Sequence, residues 1–129
     1  MGNSPTAIAT AFLKAVESGD EATIDALQAP GCTWWILGRG IISRADYIAE
    51  VKSMLLTADA RAVDIIGTIA EGDSVALEIR SEMKFGDHVY RNEYHDIFVI
   101  RDGLIVHGRE YFNTAAVQAF QLSLSGKQA

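Results

Sequence analysis

The sequence predicts an α+β fold: a bent antiparallel sheet with helices on its concave side. Three observations predict it. Helical periodicity occupies most of the first half of the chain, strict period-two alternation occupies the second, and tight-turn residues punctuate the strands.

Ser4-Pro5 supplies an N-cap with Pro at the first helical position, opening a helix that runs to about Ser18 with Ile8, Phe12, Leu13 and Val16 as its apolar stripe. Gly19-Asp20 ends it, and Asp20 caps a short helix with Ile24 and Leu27 inward. Ala29-Pro30-Gly31 is a break, followed by a short strand over Thr33–Leu37 and a Gly38-Arg39-Gly40 loop. Ser43 caps a third helix to about Thr57, carrying Tyr47, Ile48, Val51, Met54 and Leu55. Strands follow over Arg61–Ala70, Ser74–Phe85, Val89–Arg101 and Leu104–Asn113, turned at Glu71-Gly72-Asp73, Gly86-Asp87 and Arg101-Asp102-Gly103. A weakly amphipathic helix over Thr114–Leu124 closes the order.

The last hairpin carries the most chemistry. Side chains alternate faces along a strand, so Asn92, Tyr94, Asp96 and Phe98 share one side, opposed by Glu93, His95, Ile97 and Val99. On the second arm Val106, Gly108, Glu110 and Phe112 share a face, opposed by Ile105, His107, Arg109, Tyr111 and Asn113. A face that mixes Tyr, Asp and Phe is unusual for plain core, because burying a carboxylate costs several kcal/mol unless it is paired or protonated. That face is therefore either solvated or the wall of a reactive cavity.

Composition narrows the function classes. At 129 residues with 49% hydrophobic content, one domain spanning 1–129 with a genuine core is expected. The net charge of −6 argues against nucleic acid and anionic membrane surfaces, and no stretch approaches the ~18 apolar residues of a membrane span. The start MGNSPT lacks the apolar region of a signal peptide; it fits a loose myristoylation pattern at Gly2, which the rest of the chain does not support. A single cysteine, Cys32, leaves no internal disulfide and suits a reducing cytoplasm, the expected location. Cys32 reads as a small buried hydrophobe. His88, His95 and His107 form no zinc-like spacing, so no metal is expected, and the Gly38-Arg39-Gly40 loop lacks the helix placement of a phosphate cradle.

The phrase NEYHDIFVIRDGLIVHGREYFNT and the order of elements resemble the SnoaL-like branch of the nuclear-transport-factor-2-like superfamily, over nearly the whole chain. That superfamily includes ketosteroid isomerases, polyketide cyclases and limonene-1,2-epoxide hydrolase. The resemblance implies a cone-shaped sheet enclosing one deep pocket, a cofactor-free chemistry, and commonly a dimer through the outer sheet face. It implies a catalytic acid at Glu110, in the "R-acid-Y-F" phrase, and a hydrogen-bonding acid at Asp96, two residues before Phe98. Arg80 and Glu82 stand where the epoxide hydrolase carries an Arg-x-Asp pair, on the parity expected to converge with Tyr94, Asp96, Glu110 and Phe112. Arg80 and Glu82 as a solvated outward pair is the alternative. Two departures weaken specific reactions: the first strand has Trp34-Trp35-Ile36-Leu37 where isomerases carry a base, and Trp34 and Ile36 where the hydrolase holds its water.

The expectation is thus a small enzyme doing general acid–base chemistry (isomerase, lyase or dehydratase, or hydrolase) on a hydrophobic, oxygen-bearing molecule. Glu110, Asp96, Arg80 and Glu82 would be catalytic; Tyr94, Trp34, Phe112, Asn92 and Phe98 would line the substrate. The alternative is a non-catalytic ligand-binding or accessory domain that keeps the pocket. A homodimer is expected, because the outer face would otherwise expose Ile97, Val99, Ile105 and Tyr111.

Overall fold

Capping residues set the helical boundaries in the computed structural model, which describes residues 4–126. Ser4 Oγ accepts from the Ala7 amide at 3.1 Å and opens α1, Pro5–Ser18. Gly19 ends α1 in the left-handed region at φ 76°, where glycine carries no Cβ penalty. Asp20 caps α2, Glu21–Ala26, and Ser43 caps α3, Arg44–Thr57, as their side chains predict. The remaining elements are β1 (Gln28–Ile36), β2 (Gly40–Ser43), β3 (Ala60–Glu71), β4 (Ser74–Phe85), β5 (His88–Arg101), β6 (Leu104–Phe112) and α4 (Thr114–Leu124). The Gly2 pattern lies outside the described residues.

The six strands form one curved, unclosed sheet in the order β2-β1-β6-β5-β4-β3. The expected meander is present as β3-β4-β5-β6, all antiparallel. Three local expectations change. The Ala29-Pro30-Gly31 break lies inside β1, where ladder pairing lapses between Gln28 and Thr33; Pro has no N–H to give a ladder and is tolerated at that gap. A short strand, β2, forms where only a loop was expected, pairing Gly40–Ser43 with Thr33–Ile36. β1 runs parallel to β6, so the sheet is mixed rather than purely antiparallel. A fourth correction concerns Ile105, expected on the outer face but fully buried. Val99 pairs with His107 while Ile100 pairs with Ile105, so one extra residue bulges from β6 and flips the parity beyond it.

The core joins α1 to the concave face of the sheet. Phe12, Ile24, Trp34, Val75, Leu77, Phe98 and Ile105 are fully or almost fully buried. Trp34 lies opposite Gly108 in the β1–β6 pairing, and a Cβ on Gly108 would collide with the indole ring. The glycine is what lets the indole lie flat against the sheet, and that indole in turn supports the ring of Tyr47 from α3, stacked on it at 3.8 Å.

Candidate active site

A cavity of about 540 Å³ opens between the sheet and helices α1, α3 and α4. Its wall is mainly apolar: Leu13, Val51, Met54, Ile79, Met83 and Phe120 are among its residues. Strands β5 and β6 place the polar groups. Asp96 and Glu110 are direct cross-strand partners, and Tyr94 stands two residues before Asp96 on the same face. Tyr47 enters from α3 and donates its O–H to Glu110 Oε2 at 2.9 Å. At the cavity's edge Arg39 makes a bidentate pair with Glu50 at 2.6 and 2.7 Å; both side chains are about half exposed, so the pair is worth little in stability.

Electrostatics separates the two acids. Asp96 is 4% exposed, and its Oδ1 has no hydrogen-bond partner. Burial, then the charge of Glu110, pushes its carboxyl well above the ordinary range, with the Tyr111 amide acting weakly against this. Burial also raises Glu110, but the Tyr47 hydroxyl favours its ionised form and Arg39 acts in the same direction, opposed by Glu50. Burial of both carboxyls on facing positions of one apolar cavity disfavours charging them together. Of the two, Asp96 is held further towards its protonated form, and Glu110, with its hydroxyl donor, is the better placed to carry charge. Burial and the neighbouring acids also push the Tyr47 phenol well up, and burial and Tyr90 do the same to Tyr94, so both stay neutral donors.

Glu110, Asp96 and Tyr94 thus meet in the cavity as the sequence predicts. Arg80 and Glu82 do not. Their side chains project from the opposite face of β4, 61% and 39% exposed, and pair outside with Glu93 at 3.8 Å and Arg91 at 2.7 Å. The reason is the alternation of β4 itself: Val75, Leu77, Ile79, Ser81 and Met83 are buried, which forces Arg80 and Glu82 outward. Trp34 and Phe98 are core residues one layer behind Tyr47 rather than cavity lining; the indole N–H donates to Gln28 Oε1 at 2.9 Å. Phe112 is half-buried and packs against the Tyr94 ring without lining the cavity. Asn92 is buried at the junction of β5 and α4, hydrogen-bonded to backbone and to Tyr90.

Four residues at the site carried weaker signals. Tyr47 sits in the apolar stripe of α3, and its hydroxyl is the only hint that this position serves more than packing. Tyr90 shares the inward parity of Tyr94, and Ser81 interrupts the apolar run of β4. Arg39 lay in a loop read only for its glycines. Burial pushes the Cys32 thiol up to about 11, which leaves it an inert packing group. Among the described residues no cluster of three or more His, Cys, Asp or Glu is arranged to hold a metal ion, and no helix is long and apolar enough to cross a membrane.

The sequence model of the SnoaL-like domain matches residues 9–108. No curated protein sequence matches the chain. Among solved structures, an LEH-like epoxide hydrolase of M. tuberculosis is similar at TM-score 0.77 and 21% identity, over 92% of each chain. IdmH of Streptomyces antibioticus, a putative polyketide cyclase, is similar at TM-score 0.78 and 16% identity, over 91% of this chain and 97% of that one. BvnE pinacolase of Penicillium brevicompactum is similar at TM-score 0.83 and 12% identity, over 92% and 88%. At these identities the likeness is one of fold.

Proposed function

Because this chain belongs to the SnoaL-like family, we propose that it is an enzyme performing general acid–base chemistry on a neutral, hydrophobic, oxygen-bearing molecule held in the cavity. One observation carries the reading: Asp96 and Glu110 face each other in an apolar enclosure, and only Glu110 has a hydroxyl donor to hold its charge. A proton-bearing acid beside an ionised one is the pair that such chemistry requires. Glu110 removes a proton from substrate carbon or from an attacking water. Asp96 donates to the oxygen on which negative charge develops or which departs. Isomerisation, dehydration and epoxide opening all use this division of roles, and the fold neighbours named above include an epoxide hydrolase. No group beyond the chain's own side chains is needed.

Thermal-shift screening with steroids, terpenoid epoxides and phenolic diols identifies ligands, and turnover is then followed on those that bind. Glu110→Gln preserves shape and removes the base, so turnover falls by roughly 10²–10⁴-fold with ligand affinity little changed. Parent-rate turnover in Glu110→Gln would refute the acid–base reading, and binding without turnover in the parent protein would establish the ligand-binding alternative.

A further inference from the structure

A chain of hydrogen bonds runs along the cavity wall, and donor and acceptor inventories fix its direction as far as Tyr90. Asn92 Oδ1 accepts from the backbone N–H groups of Glu93 at 2.7 Å and Asn113 at 3.0 Å. Its Nδ2 therefore faces the other way, donating to the Asn113 carbonyl at 3.1 Å and to Tyr90 Oη at 2.6 Å. Two backbone N–H groups on the oxygen fix which end of this amide is which. Tyr90 Oη then stands 2.9 Å from Tyr94 Oη. Either hydroxyl can donate in that contact, and each arrangement leaves one phenolic proton beyond the pair. With Tyr90 donating, the remaining phenolic proton is on Tyr94, in contact with Ser81 Oγ at the cavity wall. Ser81 Oγ is buried and makes no hydrogen bond beyond that contact, so the hydroxyls of Tyr90, Tyr94 and Ser81 carry one proton more than their mutual contacts use.

We infer that Tyr94 and Ser81 form a subsite for a hydrogen-bond-accepting oxygen of the substrate, with Tyr90 and Asn92 as positioning residues that aim the Tyr94 proton. The occupant is a neutral carbonyl, epoxide or ether oxygen attached to an apolar skeleton. An anionic group is disfavoured by the apolar wall and by the two carboxyls beside the subsite. This rests on the acid–base reading only in assigning the oxygen to the molecule on which Asp96 and Glu110 act. An unsatisfied buried donor costs free energy that such an oxygen recovers on binding.

The test uses two isosteric probes and needs no turnover, so it stands or falls apart from Glu110→Gln. The probes are 2-acetylnaphthalene and 2-isopropenylnaphthalene, which differ in carbonyl oxygen against methylene. Affinities are measured by titration calorimetry, and the carbonyl stretch of the bound ketone by infrared difference spectroscopy. In Tyr94→Phe the preference for ketone over alkene falls by roughly five- to tenfold, the scale of one lost neutral hydrogen bond. The carbonyl band also moves back towards its position in apolar solvent. Tyr90→Phe reads the direction of the chain. If Tyr90 donates to Tyr94, its removal weakens ketone binding and moves the band part of the way back. If the chain runs the other way, Tyr90→Phe frees the Tyr94 proton, and binding strengthens instead. That opposite sign overturns the inference. So does a preference that survives Tyr94→Phe and is lost in Asp96→Asn.

Discussion

At the scale of single residues, Asp96 and Glu110 have the same functional group and different environments, and their partners divide the labour. Tyr47 is the residue that distinguishes them, because it gives Glu110 a hydroxyl that Asp96 lacks. Tyr47→Phe keeps the ring on Trp34 and removes only the donor that lowers Glu110. The acidic limb of kcat/KM, which follows ionisation of the base, is expected to shift to higher pH in this variant; an unmoved limb would separate Tyr47 from the chemistry. Asp96 has a consequence for stability that activity does not report. Its folded carboxyl is raised above 3.8, so between that value and the raised one the native state holds a proton that the unfolded chain has released. Stability therefore falls as pH rises through this window. Asp96→Asn removes that dependence, and its melting temperature relative to the parent is expected to climb from about pH 4 to neutrality. Equal differences at both ends would place the proton elsewhere.

At the scale of elements, the site depends on how closely α3 lies to the sheet, and that is set from behind. Gly108 on β6 leaves room for the Trp34 indole, the indole carries the Tyr47 ring, and Tyr47 reaches Glu110 two residues along β6 from that same glycine. Gly108→Ala drives a methyl group into the indole. Overpacking of this kind costs ~1–3 kcal/mol, and it tilts the layer that carries Tyr47. Chemical denaturation is expected to show the loss, accompanied by reduced turnover at a residue that touches no substrate. Parent stability in the Gly108→Ala variant would mean that the indole moves without consequence. The hairpin between β5 and β6 turns at Asp102 and Gly103, both at positive φ, 52° and 76°, as an Asp-Gly pair permits. That turn and the bulge near Val106 together put Glu110 opposite Asp96.

At the scale of the whole molecule, the convex face of the sheet bears a cluster of different character. Arg109 lies over the Trp35 ring at 4.2 Å and hydrogen-bonds to Tyr111 Oη, with half-buried Ile97 and Val99 on the neighbouring strand. We propose that two copies of the chain pair through this face. Trp and Tyr flanked by Arg suit a protein interface, where an aromatic body is covered and a polar tip stays bonded. Ile105, turned inward by the bulge, takes no part. Sedimentation at micromolar concentration is expected to give a dimer that Tyr111→Asp converts to monomer. A parent protein sedimenting as a monomer would leave the face unpaired.

The sequence alone determined the order of elements apart from β2, the caps of α1, α2 and α3, and the two faces of the β5–β6 hairpin from Val106 onward, because each follows from local chemistry: a capping side chain before a helix, an Asp-Gly turn, a period of two. That Glu110, Asp96 and Tyr94 share one surface was what the family resemblance implied, and the register of the hairpin bears it out. The placement of Arg80 and Glu82 went astray where a resemblance outweighed the strand's own alternation; Val75, Leu77, Ile79 and Met83 already marked the buried side. What only the tertiary structure decided lies between elements distant in the chain. The Tyr47–Glu110 bond spans 63 positions, the stacking of Tyr47 on Trp34 joins a helix to a strand, and the parallel β1–β6 pairing brings Trp34 to Gly108. No local periodicity encodes such contacts, because they are selected by how the assembled layers fill space and satisfy their buried polar groups.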